Sequence, residues 1–217
     1  MIKSDQFKQW TEGSQETLIC PGIPGSGKTM LASIVIDHLE RNLQNETVGV
    51  AYIYCSYKSQ QTLANLLGSV LKQLVQSQTT FNNDLENLYQ DHKAKGTSLT
   101  STELKKQFLP LMEPYSRVFV VVDALDECAD EDERTSLIST LHDLQRQRSL
   151  NLMVTCRDIP DVIAVAKANI RLDICADNRD IDLYLSGHMH RLAKCAKKNE
   201  NLQEEIKQEI IGAVNGM

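Results

Sequence analysis

The sequence predicts an α/β fold, a parallel sheet covered by helices on both faces, and three observations carry that expectation. Short apolar runs alternate along the chain with stretches whose apolar residues recur every three or four positions, strand and helix signals in turn. Gly22 to Thr29 fits the phosphate-binding pattern G-x-x-x-x-G-K-[ST], with an apolar run before it and a helical pattern after it. The run Val118-Phe119-Val120-Val121-Val122 ends in Asp123, the other half of such a site, because open α/β sheets bind ligands at the carboxyl ends of their strands.

In chain order, Phe7 to Gln15 is a lead-in that holds the only tryptophan, Trp10. Phe7 and Trp10 either cover a nucleotide base or simply pack, and packing is the commoner role of such aromatics. Thr17 to Cys20 reads as the first strand. After the loop a helix is expected over about 29–43, with Leu31, Ile34, Val35 and Leu39 as its buried stripe and His38 as a hydrogen-bonded core histidine on it. Val48 to Cys55 is a near-continuous apolar run, expected to be a strand covered on both faces. Leu63, Leu66, Leu67, Val70, Leu71, Leu74 and Val75 mark a strongly amphipathic helix.

From Gln76 to Gly96 the chain turns polar, although Leu85, Leu88 and Tyr89 can seat one more helix, and another is expected from Thr102 to Met112. Arg117 to Val122 is a buried strand. Asp130 with Glu133 reads as a capping box before a helix built on Leu137, Ile138, Leu141 and Leu144. Leu150 to Cys156 and Ile170 to Ile174 are further strands. A stripe of Ile181, Tyr184, Leu185, His188, Met189 and Leu192 and a last helix from Asn201 to Val214 complete the pattern.

Composition bounds the function. With 217 residues, 41% of them hydrophobic and 24% charged, the chain has enough apolar material for a real core. A net charge of −6 argues against a nucleic-acid or anionic membrane surface as partner. No apolar run is long enough for a membrane helix, and the N-terminus has no signal-like apolar core. Six cysteines occur, none in a C-x-x-C pair, and four of them lie in or beside apolar strand-like runs, where a free thiol packs as a small hydrophobe; the chain reads as reduced and cytoplasmic.

The loop Gly22-Ile23-Pro24-Gly25-Ser26-Gly27-Lys28-Thr29 is the candidate nucleotide-binding segment. Its glycines let successive N–H groups turn toward one anion, and the helix that follows adds the positive end of its dipole. Lys28 is expected on the β- and γ-phosphates of ATP or GTP, and Thr29 with Asp123 on Mg²⁺. Asp126 and Glu127 are candidates for the general base that polarises the attacking water; the alternative is a solvated acidic turn. Arg157, at the tip of the strand Met153-Val154-Thr155-Cys156, is expected either to sense the γ-phosphate or to pair with Asp126 or Asp158. His188 and His190 are poorly spaced for a helical zinc site, since helical residues two apart diverge.

These residues resemble a known family. Cys20 to Thr29, Ala51-Tyr52-Ile53-Tyr54-Cys55, Val122-Asp123-Ala124-Leu125-Asp126-Glu127-Cys128 and Thr155-Cys156-Arg157 look like the NACHT NTPase module of fungal NOD-like receptors, also described as a nephrocystin-3-like N-terminal domain. The most specific mark is the small Ala124 directly after the metal-binding Asp, with acids three and four positions beyond it. The resemblance implies a P-loop NTPase fold of three α/β/α layers, a parallel sheet in the order 5-1-4-3-2, and a C-terminal helical extension. It divides the chain into a lead-in (1–16), the core (17–176) and the extension (177–217). It implies an effector domain before the module and a winged helix followed by ankyrin or WD repeats after it, so the chain is expected to be an excised or truncated module.

By the same resemblance the module is a switch. ADP- and ATP-bound states control self-association and signalling, slow hydrolysis resets the state, and Arg157 occupies the sensor position. A non-hydrolysing nucleotide-binding scaffold and a small-molecule kinase are the rival readings. Turnover separates the first and phosphate release without an acceptor the second.

Overall fold

The computed structural model describes residues 2–42, 47–59, 61–78, 83–128, 130–175, 178–188 and 199–215. They form two compact units, Met1–Asp173 and Ile174–Met217.

In the first unit the strands are β1 (Thr17–Pro21), β2 (Val48–Tyr54), β3 (Arg117–Asp123), β4 (Leu150–Cys156) and β5 (Ile170–Arg171). All pair in parallel, in the order β2-β3-β4-β1-β5, which is the expected order read from the other edge. Every residue of β1 and β4 is buried, and so is all of β3 after Arg117. Burial on both faces favours a near-continuous apolar run, and the polar exceptions in β4, Asn151 and Thr155, are hydrogen-bonded. The helices are α1 (Asp5–Glu12), α2 (Lys28–Asn42), α3 (Leu63–Gln76), α4 (Asn83–Lys95), α5 (Ser101–Met112), α6 (Glu131–Gln145) and α7 (Pro160–Ala166).

Against one face of the sheet, α3 buries Leu66, Leu67, Val70, Leu71 and Leu74. Each such side chain contributes about 1.5–3 kcal/mol relative to exposure. Thr62 caps the start of α3, and Glu133 of α6 adds its carboxylate at 2.5 Å from the Leu63 N–H. This corrects the capping-box expectation. Asp130 does accept from the N–H groups of Asp132 and Glu133, but the Glu133 side chain serves a different helix. Among the described residues the complete capping box is Thr100 with Glu103, at the start of α5.

Four other expectations shift. In α2 the buried residues are Ala32, Val35, Ile36 and Leu39, while Ile34 is exposed and Leu31 and His38 are only half-buried. The phase of this helix is set by Thr29, whose hydroxyl reaches into the sheet at Asp123. Positions 32, 36 and 39 share the face of Thr29, three, seven and ten residues on. His38 meets Asn42 through Nδ1 at 3.0 Å and the ring edge of Phe7.

Strand β2 is an edge strand, with Gly49, Ala51 and Ile53 buried and the residues between them only partly covered. Its open side is occupied by two amide side chains. Gln73 accepts from Tyr52 N–H and donates to Tyr52 C=O, both at 2.9 Å, and Gln61 bridges Tyr54 C=O and Ser56 N–H. Edge groups satisfied in this way present less of a template for a foreign strand. Strand β5 keeps only Ile170 and Arg171 of its expected length, and α7, opened by Pro160 at its first turn, was not expected.

The lead-in is a helix capped by Ser4, and its aromatics pack. Trp10 is fully buried, lies 5.2 Å from the Phe119 ring, and donates from Nε1 to Leu152 C=O. Asn151, itself buried in β4, returns hydrogen bonds to the carbonyls of Trp10 and Gly13.

The second unit contains α8 (Asn178–His188) and α9 (Glu200–Asn215), joined by an ion pair of Lys207 with Asp182 at 3.3 Å. Met189, His190, Leu192 and Cys195 lie outside the described residues.

Candidate functional site

The loop leaves β1 at Pro21 and is stitched to the next strand at once, Gly22 N–H donating to Cys156 C=O at 3.1 Å. It closes on itself through Ser26 N–H to Ile23 C=O at 3.2 Å. Gly25 and Gly27 have φ of +82° and +89°, with open space where a Cβ would stand. Their requirement is therefore the left-handed backbone itself, which other residues adopt at a cost. No acidic residue occupies the first turn of α2, so the free N–H groups at its start face no competing carboxylate of their own helix.

The Lys28 ammonium bridges the loop, donating to the carbonyls of Gly22 at 2.8 Å and Ile23 at 2.9 Å. The Ser26 hydroxyl is buried without a hydrogen-bond partner. A buried polar atom left unpaired costs about 1–3 kcal/mol. An unpaired hydroxyl buried in this loop is a donor that an oxyanion could accept from.

Strand β3 delivers Asp123 to the same end of the sheet. Its carboxylate is buried and held by two hydroxyls, Thr29 Oγ1 to Oδ2 at 2.7 Å and Thr155 Oγ1 to Oδ1 at 2.5 Å. Among the described residues no lysine or arginine pairs with it. A buried carboxylate of this kind calls for a cation. A single carboxylate beside a threonine hydroxyl suits Mg²⁺, which keeps several waters and takes phosphate oxygens as its other ligands.

Beyond Asp123 the chain turns sharply. Ala124 is left-handed, with φ 55° and ψ 49°, and its N–H donates to Thr155 Oγ1 at 2.9 Å. Leu125 is driven into the core, and a 3₁₀ turn over Leu125–Glu127 carries the two acids onto the pocket wall. There the Asp126 side chain, only 3% exposed, accepts from Arg157 twice, from the backbone N–H at 2.9 Å and from Nε at 2.6 Å. This is the Arg157–Asp126 pairing, one of the alternatives open in the sequence. Asp158 pairs instead with Arg171. The Asp126 carboxylate, as hydrogen-bond acceptor and as charge, holds the Arg157 guanidinium above its ordinary pKa.

Together these segments enclose a pocket of about 530 Å³. It brings Pro24, Gly25, Gly27, Lys28 and Thr29 together with Asp126, Glu127 and Arg157. Gly22, Ile23 and Ser26 belong to the loop but not to the pocket lining, and Asp123 sits behind Thr29. Two lining residues escaped the sequence reading, Met30 and Tyr57, which are 69% and 66% exposed. The available signal for Met30 was a large apolar residue directly after the loop threonine. Tyr57 carried none beyond its place after β2.

A slightly larger cleft of about 610 Å³ opens at the opposite end of β1, around Thr17, His142 and Lys167, and contains none of the motif residues. No group of three or more His, Cys, Asp or Glu suited to a metal occurs among the described residues. His188 stacks on Tyr184, with ring centroids 4.1 Å apart. Burial, then neighbouring negative groups, pushes the thiols of Cys55 and Cys156 up to about 12 and that of Cys20 higher still. None of the three is a nucleophile at neutral pH.

Comparison with known proteins agrees with this architecture. The sequence model of the family described as nephrocystin 3, N-terminal, matches residues 1–157. The vegetative incompatibility protein HET-E-1 of Podospora anserina is 24% identical over 233 residues, which cover 100% of this chain and 17% of that protein. Among solved structures, the Aeropyrum pernix ORC1 protein in complex with DNA superposes with a TM-score of 0.55 at 15% identity, over 86% of this chain and 47% of that one. The ORC2 protein of the same organism, in ADPNP–ADP complexes, gives 0.52 at 13% identity, over 85% and 48%. At these identities the likeness is one of fold.

Proposed function

The chain belongs to the nephrocystin 3 N-terminal family, and from that premise we propose that it is a NACHT-type nucleotide-binding switch module of a NOD-like receptor signalling protein. In this reading it binds ATP or GTP, and slow hydrolysis returns a self-associating triphosphate state to a resting diphosphate state. The observation that carries the reading is convergence. Lys28 and Thr29 after β1, the acids after β3 and Arg157 after β4 lie far apart in sequence and line one pocket.

Each residue then has a physical task. The loop N–H groups and Lys28 take the β- and γ-phosphates, with Lys28 exchanging its two carbonyl partners for phosphate oxygens. Thr29 and Asp123 would hold Mg²⁺, whose charge offsets that of the phosphates. Asp126 or Glu127 polarises the attacking water, and Arg157 meets the γ-phosphate. A ligand shifts a two-state equilibrium only by its difference in affinity for the two states. A γ-phosphate touched by Lys28 and Arg157 supplies such a difference.

Support for a signalling role comes from the relative named for vegetative incompatibility, of whose length the chain spans 17%. Self-association, an effector domain and ankyrin or WD repeats belong to this proposal for the whole protein, as does a cytoplasmic location. Among the described residues no helix is long and apolar enough to cross a membrane. The net charge of −6 speaks against the nucleic-acid partner named for the archaeal neighbour.

The test is titration with fluorescent ATP, ADP, GTP and GDP in the presence of Mg²⁺. Lys28→Ala should weaken triphosphate binding at least about tenfold, the equivalent of about 1.4 kcal/mol. The melting temperature without ligand should stay near that of wild type. Unchanged affinity in Lys28→Ala overturns the reading.

A further inference from the structure

A carboxylate can act as a general base only if one of its oxygens is open to the water it must deprotonate. Asp126 and Glu127, adjacent in sequence, differ on this point. Both Asp126 oxygens are engaged by Arg157, Oδ1 by the backbone N–H and Oδ2 by Nε, and the side chain is 3% exposed. Glu127 lines the same pocket, half-buried, and its carboxylate meets no donor among the described residues.

Arg157 shows the complementary asymmetry. Its backbone N–H and Nε close a ring with one carboxylate, which fixes the direction of the side chain. Its terminal nitrogens Nη1 and Nη2 meet no acceptor among the described residues, and the side chain is half exposed on the pocket wall. Asp126 in turn cannot follow a moving arginine. It sits in a turn held by Glu127 N–H to Ala124 C=O at 2.8 Å and Cys128 N–H to Leu125 C=O at 3.2 Å, with Leu125 wholly buried beneath it.

Resting on the nucleotide-switch reading, we propose that Asp126 is the positioning residue of Arg157, holding its inner nitrogens so that the outer two are presented to the γ-phosphate, and that Glu127 alone is the general base. In hydrolysis the water oxygen bonds to the γ-phosphorus as the bond to the β,γ-bridging oxygen breaks. The water proton passes to the Glu127 carboxylate, and the nucleoside diphosphate and inorganic phosphate are the products. Asp126 takes no proton in this sequence. It acts on discrimination between triphosphate and diphosphate, because a pre-aimed guanidinium loses less freedom when it engages the γ-phosphate.

Two measurements on the chain test the proposal. The first is equilibrium binding of Mg²⁺-ATP and Mg²⁺-ADP, with single-turnover hydrolysis, for wild type, Asp126→Ala, Arg157→Ala, the double variant and Glu127→Gln. Asp126→Ala should reduce the ATP-over-ADP preference about tenfold, as Arg157→Ala does, and the double variant should lose no more, since both remove one device. Glu127→Gln should keep the preference and slow hydrolysis by about 10²–10⁴-fold. The second is the NMR exchange rate of the Arg157 Nε–H without nucleotide, expected to be slow in wild type and fast in Asp126→Ala.

An Asp126→Ala variant that keeps the wild-type preference but loses hydrolysis overturns the proposal and makes Asp126 the base, while leaving the switch reading intact. An additive double variant, or a wild-type Nε–H that exchanges as fast as free arginine, overturns it as well. Wild type that binds no nucleotide overturns the switch reading and the proposal together.

Discussion

Thr155→Val tests how the acidic end of the site is held. The substitution conserves the shape of a fully buried side chain and removes one hydroxyl. That hydroxyl donates to Asp123 Oδ1 at 2.5 Å and accepts from Ala124 N–H at 2.9 Å. Losing a bond to a charged acceptor costs about 1.5–3 kcal/mol, and orphaning a buried N–H about 1–3 kcal/mol. The two share one atom, and Thr29 keeps its hold on Oδ2. The sum is therefore less than additive, and a loss of about 3 kcal/mol is expected. For a chain of this size each kcal/mol moves the melting temperature by about 2–4 °C, so Tm should fall by about 6–12 °C. Calorimetry measures the shift, with urea titration as a second probe. Thr155→Ser, which keeps the hydroxyl and gives up a methyl, should cost about 1 kcal/mol. A valine variant melting within about 2 °C of wild type, or a serine variant as damaged as the valine one, would refute the hydrogen-bond argument.

Two further outcomes follow from the backbone and the thiols. Ala124 is left-handed, a conformation costing a non-glycine residue about 1–2 kcal/mol, so Ala124→Gly should be neutral or stabilising by up to about 1 kcal/mol. The β-branched Ala124→Val should lower the urea midpoint, and a valine variant as stable as the glycine one contradicts the strain. Burial raises the Cys55 and Cys156 thiols from 9.0 to about 12, which means the folded state binds these protons more tightly than the unfolded state. Their contribution is complete below pH 9 and is lost as pH rises from about 9 toward 12. Correspondingly, an aromatic disulfide reagent at pH 8 should label exposed Cys175 in the native protein and Cys20, Cys55, Cys128 and Cys156 only after denaturation, as peptide mapping would report.

Sequence by itself determined the features that are local or that repeat with a short period. Gly22 to Thr29 was legible because a phosphate loop is one continuous segment whose glycines, lysine and threonine act from consecutive positions. Strands β1, β3 and β4 were legible because burial on both faces favours a near-continuous apolar run, and the strand order came with the family resemblance. What only the tertiary structure decided is pairing across long separations. The rotation of α2 depends on Thr29 meeting Asp123, 94 residues away, so its apolar residues alone misplaced the buried face by about one position. Trp10 became core because Phe119 and Leu152 stand beneath it. Nothing in the string Asp126-Glu127 distinguishes two adjacent carboxylates. The difference arises where the end of β4 brings the Arg157 N–H and Nε, 31 residues away, against one carboxylate and leaves the other open to the pocket. Local chemistry is carried by residue type and spacing, whereas the identity of a partner is settled by which strand ends the sheet places side by side.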